Sequence, residues 1–196
     1  MSADLAYFER LHEAPDPWGV DARWYERRKR DLLLACLPQP RFARCWEAGC
    51  SVGALTEALA ARCDRVVATD AAEAALAHAR ARLSGLGHVE LRRQMHPGEW
   101  PDGRFDLIVV SELAYYLDAG ALARLARRLE TTLEPGGTLV ACHWRWPFAE
   151  RLAASEEAHR VFDGIGLPRL FAYRDPDLLL EGWGAMASVA QREGLA

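Results

Sequence analysis

The sequence predicts an α/β fold built on a doubly wound sheet, and three observations carry that prediction. Apolar runs alternate with helical patterns from about Arg44 to Ala141, the order expected of consecutive βαβ units. A loop bounded by two glycines, Gly49 to Gly53, joins the first apolar run to the first helical stretch. An aspartate, Asp70, closes the second run.

Taken in order, "ARCWEAG" reads as the first strand and "GALTEALAARC" as its helix, with leucine and alanine at helical spacing. "RVVATD" is the second strand, and "AAEAALAHARARLSGL" a second helix stopped by Gly85 and Gly87. "HVELRRQ" is a short third strand. The apolar run Phe105 to Val110 is a buried fourth strand that ends in a loop at Ser111 and Glu112. "GALARLARRLETTL" is an amphipathic helix, "EPGG" a turn and "TLVACHW" a fifth strand. Beyond these, "AASEEAHRVFDGIG" reads as a helix, and "RLFAYR" and "DLLLEGW" as a closing hairpin. Before the sheet, "AYFERLHE" and "DARWYERRKRDLLLACL" read as helices separated by the turn "APDPWG".

One domain is expected over residues 1–196: an N-terminal helical lid at 1–40, a cofactor-binding core at 41–146, and a C-terminal helix with closing strands at 147–196. A chain of 196 residues supports one full-sized core. No apolar run approaches the roughly 18 to 20 residues that cross a bilayer, and "MSADLAYFERLHEAP" has no basic segment leading into an apolar one. The expectation is a cytoplasmic protein with no membrane partner, monomeric or homodimeric. The five cysteines form no C-x-x-C pair, so no metal site is expected. A net charge of −4 argues against a nucleic-acid partner, and the "ERRKR" run from Glu26 reads as a solvated helix face.

In an open α/β sheet, ligands bind beyond the carboxyl ends of the strands at the switch point. That crevice would hold Glu47 to Gly53, Asp70, Gln94 to His96, and Ser111 to Tyr116. A dinucleotide site asks for G-x-G-x-x-G, because a pyrophosphate must lie against bare amides. The chain instead has Glu47-Ala-Gly49-Cys50-Ser-Val-Gly53. Glu47 would repel a pyrophosphate but suits a ligand bearing an ammonium and a sulfonium. S-adenosylmethionine is such a ligand, and S-adenosyl-L-homocysteine its product after methyl transfer. Asp70 would accept the two ribose hydroxyls, or cap the helix that follows it, or both. Cys50 reads as a small loop residue rather than a nucleophile, and Ala71 and Ser111 complete the expected cofactor contacts.

With these residues placed, the chain resembles the class I S-adenosylmethionine-dependent methyltransferases, and more narrowly the nodulation protein S family of N-methyltransferases. The resemblance rests on "DPW" from Asp16, "YERRK" from Tyr25, "EAGCSVGALTEALAARCD" from Glu47, "FDLIVVSELAYYL" from Phe105 and "LEPGGTLVACHWRWP" from Leu133. It implies a Rossmann-like sheet of seven strands with an antiparallel last hairpin, and N-terminal helices over the cofactor crevice. It also implies that Glu47, Gly49 and Gly53 hold the methionine part and Asp70 the ribose. Many relatives carry an aspartate after strand three for the adenine amino group, where this chain has Gln94-Met95-His96. Gln94 or backbone groups would substitute, with Met95 packing on the ring.

Transfer of a methyl group from a sulfonium requires alignment of the acceptor and removal of its proton. His143 is the first choice as general base, and Glu112 would orient the amine or hold its charge. His159 reads as a helix-surface histidine, although the family places a similar one near substrate. Trp18, Tyr25, Tyr115, Tyr116, Trp144 and Arg145 are the expected acceptor contacts, an aromatic rim suited to a sugar ring. The expected acceptor is an amino sugar or oligosaccharide, with another small-molecule amine or hydroxyl as the alternative. A nicotinamide oxidoreductase would need a Tyr-x-x-x-Lys pair, and Lys29 is the only lysine. A non-catalytic methyltransferase-like domain is the remaining alternative.

Overall fold

The computed structural model describes residues 4–196. Helices α1 (Leu5–Leu11) and α2 (Trp24–Cys36) precede β1 (Phe42–Ala48), α3 (Ala54–Ala60), β2 (Cys63–Asp70), α4 (Glu73–Arg82) and β3 (Val89–Arg93). Then come β4 (Phe105–Ser111), a 3-10 turn at Ala114–Tyr116, α5 (Ala119–Thr132), β5 (Leu133–Trp144), α6 (Ser155–Asp163), β6 (Arg169–Arg174), β7 (Leu178–Trp183) and α7 (Val189–Arg192). The seven strands form one sheet in the order β3-β2-β1-β4-β5-β7-β6. β1 to β5 pair in parallel, and β7 lies antiparallel between β5 and β6. This is the expected doubly wound sheet with an antiparallel closing hairpin.

The strand order reverses between β1 and β4, so the crossovers send α2, α3 and α4 to one face and α5 and α6 to the other. Period-two alternation along β1 builds both cores: Trp46 and Ala48 pack with Leu122, Leu125 and Phe162, whereas Cys45 packs with Leu33, Leu59 and Leu76. Asp106 ties β4 to the start of β1, its carboxylate accepting from the backbone N–H groups of Ala43 and Arg44, both at 2.7 Å. α5 starts at Asp118, which accepts from Ala121 N–H as its N-cap.

The structure departs from expectation in three places. β5 begins at Leu133, so the "EPGG" stretch belongs to the strand. It bulges between the pairs formed by Phe105 and Leu107, with Gly136 at φ 79°. α3 ends at Ala60, earlier than its apolar pattern suggested, because Cys63 already enters β2. The "ERRKR" run is not a solvated face. Lys29 is only 8% exposed, Arg28 pairs with Asp175, and Arg30 donates to the Val20 carbonyl. Those partners lie far apart in sequence, so no charge pattern could announce them.

Candidate active site

The loop after β1 is shaped by its glycines. Gly49 and Gly53 have φ of 79° and 80°, a region that costs an L-residue about 1 kcal/mol or more. Gly49 and Cys50 both donate to the Thr69 carbonyl, at 2.8 and 3.0 Å, which draws the loop against the end of β2. A Cβ on Gly53 would stand 3.0 Å from Leu83 and 3.2 Å from Ala79, so this glycine lets α3 approach α4. Asp70 accepts from the N–H groups of Ser51 at 2.8 Å and Ala72 at 2.9 Å. It therefore joins the loop to the start of α4, and burial pushes its pKa up against those bonds.

A cavity of about 630 Å³ opens beyond the carboxyl ends of the strands. At its β1–β2–β3 side lie Glu47, Gly49, Cys50, Asp70, Ala71, Gln94 and Met95. Glu47 is 1% exposed and accepts from the Thr56 hydroxyl at 2.6 Å. Burial, with Asp70 nearby, lifts its pKa to about 8 despite that bond. Burial likewise pushes the Cys50 thiol up, which leaves it protonated and unsuited to nucleophilic work. His96 also lines this side but is engaged at both ring nitrogens, by Thr69 and by the Glu99 carbonyl. Burial lowers its pKa to about 4. Gln94 Oε1 is buried and has no partner among the described residues.

At the β4–β5 side lie Ser111, Glu112, Tyr115, Tyr116, Trp144 and Tyr25. Glu112 sits at φ 53°, a strained backbone that turns the chain out of β4. Its Oε1 accepts from Lys29 at 2.8 Å, and its Oε2 from the Tyr115 hydroxyl at 2.5 Å and Trp144 N–H at 2.9 Å. Lys29 also pairs with Glu26 at 2.9 Å. Burial works against its charge, but Glu112 and Glu26 outweigh burial and raise its pKa. Tyr25 stacks edge-on against Trp144 at 4.8 Å, and Tyr115 against Tyr116 at 4.8 Å. The Tyr25 hydroxyl is likewise buried without a partner among the described residues.

The N-terminal helices close the cavity. Trp18, packed by Val20, Val52 and Ala54, lines it beside the loop. Glu9 of α1 accepts from the N–H groups of Glu73 and Ala74, at 2.9 and 3.0 Å, so α1 caps α4 from outside. His12 reaches Ser51 through Nε2 at 2.9 Å.

Three expected site residues lie elsewhere. His143, a residue of β5, is fully buried and does not line the cavity. Its Nε2 accepts from Ala114 N–H at 3.1 Å and its Nδ1 meets His159 at 2.9 Å, so no lone pair is free to take an acceptor proton. His159 is likewise 2% exposed rather than on the helix surface. Arg145 is spent on Glu156 at 2.9 Å and on carbonyls of the β6–β7 turn. Gly53 serves packing behind the loop rather than the lining.

Sequence reading missed Lys29, Glu26, Glu150 and Asp177, all on the lining. The "YERRK" motif was the one signal that touched any of them. Among these carboxylates Glu150 stands apart. Glu26 holds Lys29, Asp177 takes the Trp146 indole N–H at 2.7 Å, and Glu150 has no hydrogen bond or ion pair among the described residues. It lies close enough to Tyr7 and Tyr116 to raise both phenols, after burial. Six carboxylates line the cavity, Glu26, Glu47, Asp70, Glu112, Glu150 and Asp177, against the cations Arg23, Lys29 and Arg30.

A family model described as Nodulation protein S (NodS) matches residues 3–158. The chain is 37% identical over 129 residues to nodulation protein S of Rhizobium tropici and 35% over 133 residues to that of Sinorhizobium fredii. Each match takes in 65% of this chain but only 54% and 60% of those relatives' own lengths. Among solved structures, the N-methyltransferase NodS from Bradyrhizobium japonicum, in complex with S-adenosyl-L-homocysteine, is similar at TM-score 0.85 and 26% identity. That likeness covers 93% of this chain and 98% of the other. A candidate methyltransferase from Pseudomonas syringae is similar at TM-score 0.75 and 42% identity, over 83% of this chain and all of that one. No helix among the described residues is long and apolar enough to cross a membrane.

Proposed function

The chain belongs to the nodulation protein S family, and from that membership and the cavity's chemistry we propose that it is an S-adenosylmethionine-dependent N-methyltransferase acting on an amino sugar of an oligosaccharide. The observation that carries this reading is that two residues on the cavity lining, Gln94 past the end of β3 and Tyr25 beside Trp144 at the end of β5, each carry a buried polar atom without a partner among the described residues. Buried polar atoms are rarely left unsatisfied, so their occurrence on lining residues at both sides of one crevice supports a ligand that reaches from one side to the other.

The residues on the β1–β3 side fit an adenosyl ligand. Gln94 Oε1 is an acceptor of the kind an adenine amino group requires. Asp70 is a half-buried carboxylate at the end of β2, where a ribose diol would be received. Glu47 keeps one oxygen off Thr56 for an ammonium group, and Gly49 leaves the backbone bare beside it.

When bound, S-adenosylmethionine supplies an electrophilic methyl group on a positively charged sulfur. The chain's own residues then have to bind the acceptor amine, strip its proton and keep water out. The excess of carboxylates on the lining favours a cationic acceptor over an anionic one. Tyr25, Tyr115 and Trp144 offer aromatic surface to a sugar ring or an ammonium. Glu112, with both oxygens already engaged, positions Tyr115 and Lys29. Glu150, the lining carboxylate with no protein partner, takes the amine's proton. Trp24 and Trp146, 66% and 53% exposed, flank the lining residues Tyr25 and Asp177 and would support further sugar units.

Calorimetric titration with S-adenosylmethionine and separately with NAD, on the native chain and on Asp70→Ala and Gln94→Ala, tests the cofactor assignment. Binding of the first ligand alone, weakened in both variants, is the expected result. Binding of NAD, or affinity indifferent to both substitutions, would overturn it.

A further inference from the structure

A line of polar groups crosses the apolar core behind the acceptor side of the cavity. His143, His159 and Glu181 are 0%, 2% and 7% exposed. Ala114 N–H faces His143 Nε2 at 3.1 Å, His143 Nδ1 faces His159 Nε2 at 2.9 Å, and His159 Nδ1 faces Glu181 Oε2 at 2.7 Å. Arg169 holds the other oxygen of Glu181 at 3.2 Å.

The two ends fix every proton between them. A backbone amide can only donate, so His143 Nε2 must be a lone pair and its proton must sit on Nδ1. That proton points at His159 Nε2, which therefore accepts, leaving the His159 proton on Nδ1 to be donated to the Glu181 carboxylate. The line ends on an amide that cannot titrate, so it is not a route for carrying protons. It does make one tautomer of His143 the only one compatible with the turn at Ala114–Tyr116. With the proton on Nε2, two donors would confront each other at Ala114 and the turn would be displaced.

That turn carries Tyr115, whose ring also meets the His143 ring edge-on at 5.3 Å. The Tyr115 hydroxyl is bound to Glu112, and Glu112 to Lys29. We propose that His143, His159 and Glu181 are positioning residues, a buried relay that holds the Ala114–Tyr116 turn so that Tyr115 and Glu112 keep the arrangement that receives the acceptor. The inference rests on reading this end of the cavity as the acceptor side. It assigns the relay no part in holding the cofactor, since that end of the cavity is built from β1, β2 and β3.

Nitrogen-15 NMR of the full chain, labelled at histidine, reads the tautomers directly without substrate. The expected result is Nδ1–H for both His143 and His159 at neutral pH. His159→Phe removes the acceptor for His143 Nδ1–H. It should let the Nε2–H form appear and raise the acceptor KM roughly ten- to hundred-fold, the loss typical of small misplacements in a site. The S-adenosylmethionine Kd should stay within about two-fold, the tolerance set by a few tenths of a kcal/mol. His159→Gln, whose amide can accept from His143 and donate to Glu181, should restore both tautomer and KM. Should His159→Phe not fold, His159→Leu withdraws the same acceptor with less added volume. An Nε2–H tautomer of His143 in the native chain would overturn the proposal, as would an unchanged acceptor KM in a folded His159→Phe or His159→Leu. Because the tautomer is read with no methyl donor or acceptor present, failure of the methyl-transfer reading leaves that arm decisive on its own.

Discussion

Lys29 of α2 and Glu112 at the end of β4 meet at 2.8 Å beside the cavity, and this ion pair fastens the N-terminal helices to the β4 end of the sheet. Lys29 is the chain's only lysine, its side chain 10% exposed and that of Glu112 24%. Removing one partner of such a pair leaves an uncompensated charge in a poorly hydrated place. Lys29→Met should therefore destabilise the chain by on the order of 2 kcal/mol, less than the roughly 3–5 kcal/mol of a fully buried pair. Lys29→Met combined with Glu112→Leu should cost less than the sum of the two single variants, even though Glu26, the Tyr115 hydroxyl and Trp144 N–H each lose a partner in it. Midpoints of urea unfolding for the two single variants and the double variant measure this, and additive losses would count against the pairing.

Glu47 titrates in an unusual range. Its folded pKa of about 8 lies above the ordinary carboxylate value. Its contribution to stability is therefore fully present below about pH 4.5 and is lost as pH rises through 8. The unfolding free energy of Glu47→Gln should change less across that window while that of the native chain declines, the relative shift reaching a few kcal/mol at the alkaline end. An ammonium brought near Glu47 favours its ionised form. At pH 7 the native chain should thus release more protons on binding S-adenosylmethionine than Glu47→Gln does, measured by calorimetry in buffers of different ionisation heats.

Gly53→Ala tests the cofactor loop without touching the cavity lining. The substitution forces an L-residue to φ 80° and brings a methyl 3.0 Å from Leu83. A loss of about 1–3 kcal/mol in thermal or urea unfolding is expected. Weaker S-adenosylmethionine binding should accompany it, because α3 can no longer seat against α4. Full stability in the variant would mean that the close approach is not required.

Glu150→Gln keeps the shape of the residue assigned to take the acceptor proton and removes its basicity. Turnover should fall by about 10²- to 10⁴-fold, the range general-base groups supply, with S-adenosylmethionine affinity unchanged. Raising the pH should recover part of the rate, as more of the amine arrives unprotonated. A variant with native turnover would return the role to solvent.

The sheet was legible because its central strands β1, β4 and β5 are buried along most of their length and the loop after β1 carries glycines at positive φ, Gly49 and Gly53. The ends of β1 and β2 could be placed from Glu47, Gly49 and Asp70, and all three line the cavity. The β4–β5 side of the cavity was legible only where aromatic residues cluster near strand ends, as with Tyr115, Tyr116 and Trp144, which line it. His143 was misread because a histidine at the end of a strand looks available until its partners are known. Those partners, Ala114 and His159, are 29 and 16 residues away. Lys29 was misread for the same reason: within "ERRKR" it resembles its neighbours, and only Glu112, 83 residues on, draws it inside. Arg145 looked free for substrate until the β6–β7 turn closed over it.

The central claim is methyl transfer to an amino sugar. The most direct measurement incubates the chain with S-adenosylmethionine and two chitin oligosaccharides, one with a free amine at its non-reducing end and one fully N-acetylated, and reads the products by tandem mass spectrometry. An added methyl group on the nitrogen of the first and none on the second is the expected result. Methylation of a hydroxyl, equal methylation of both, or no transfer by a chain that binds S-adenosylmethionine would contradict it.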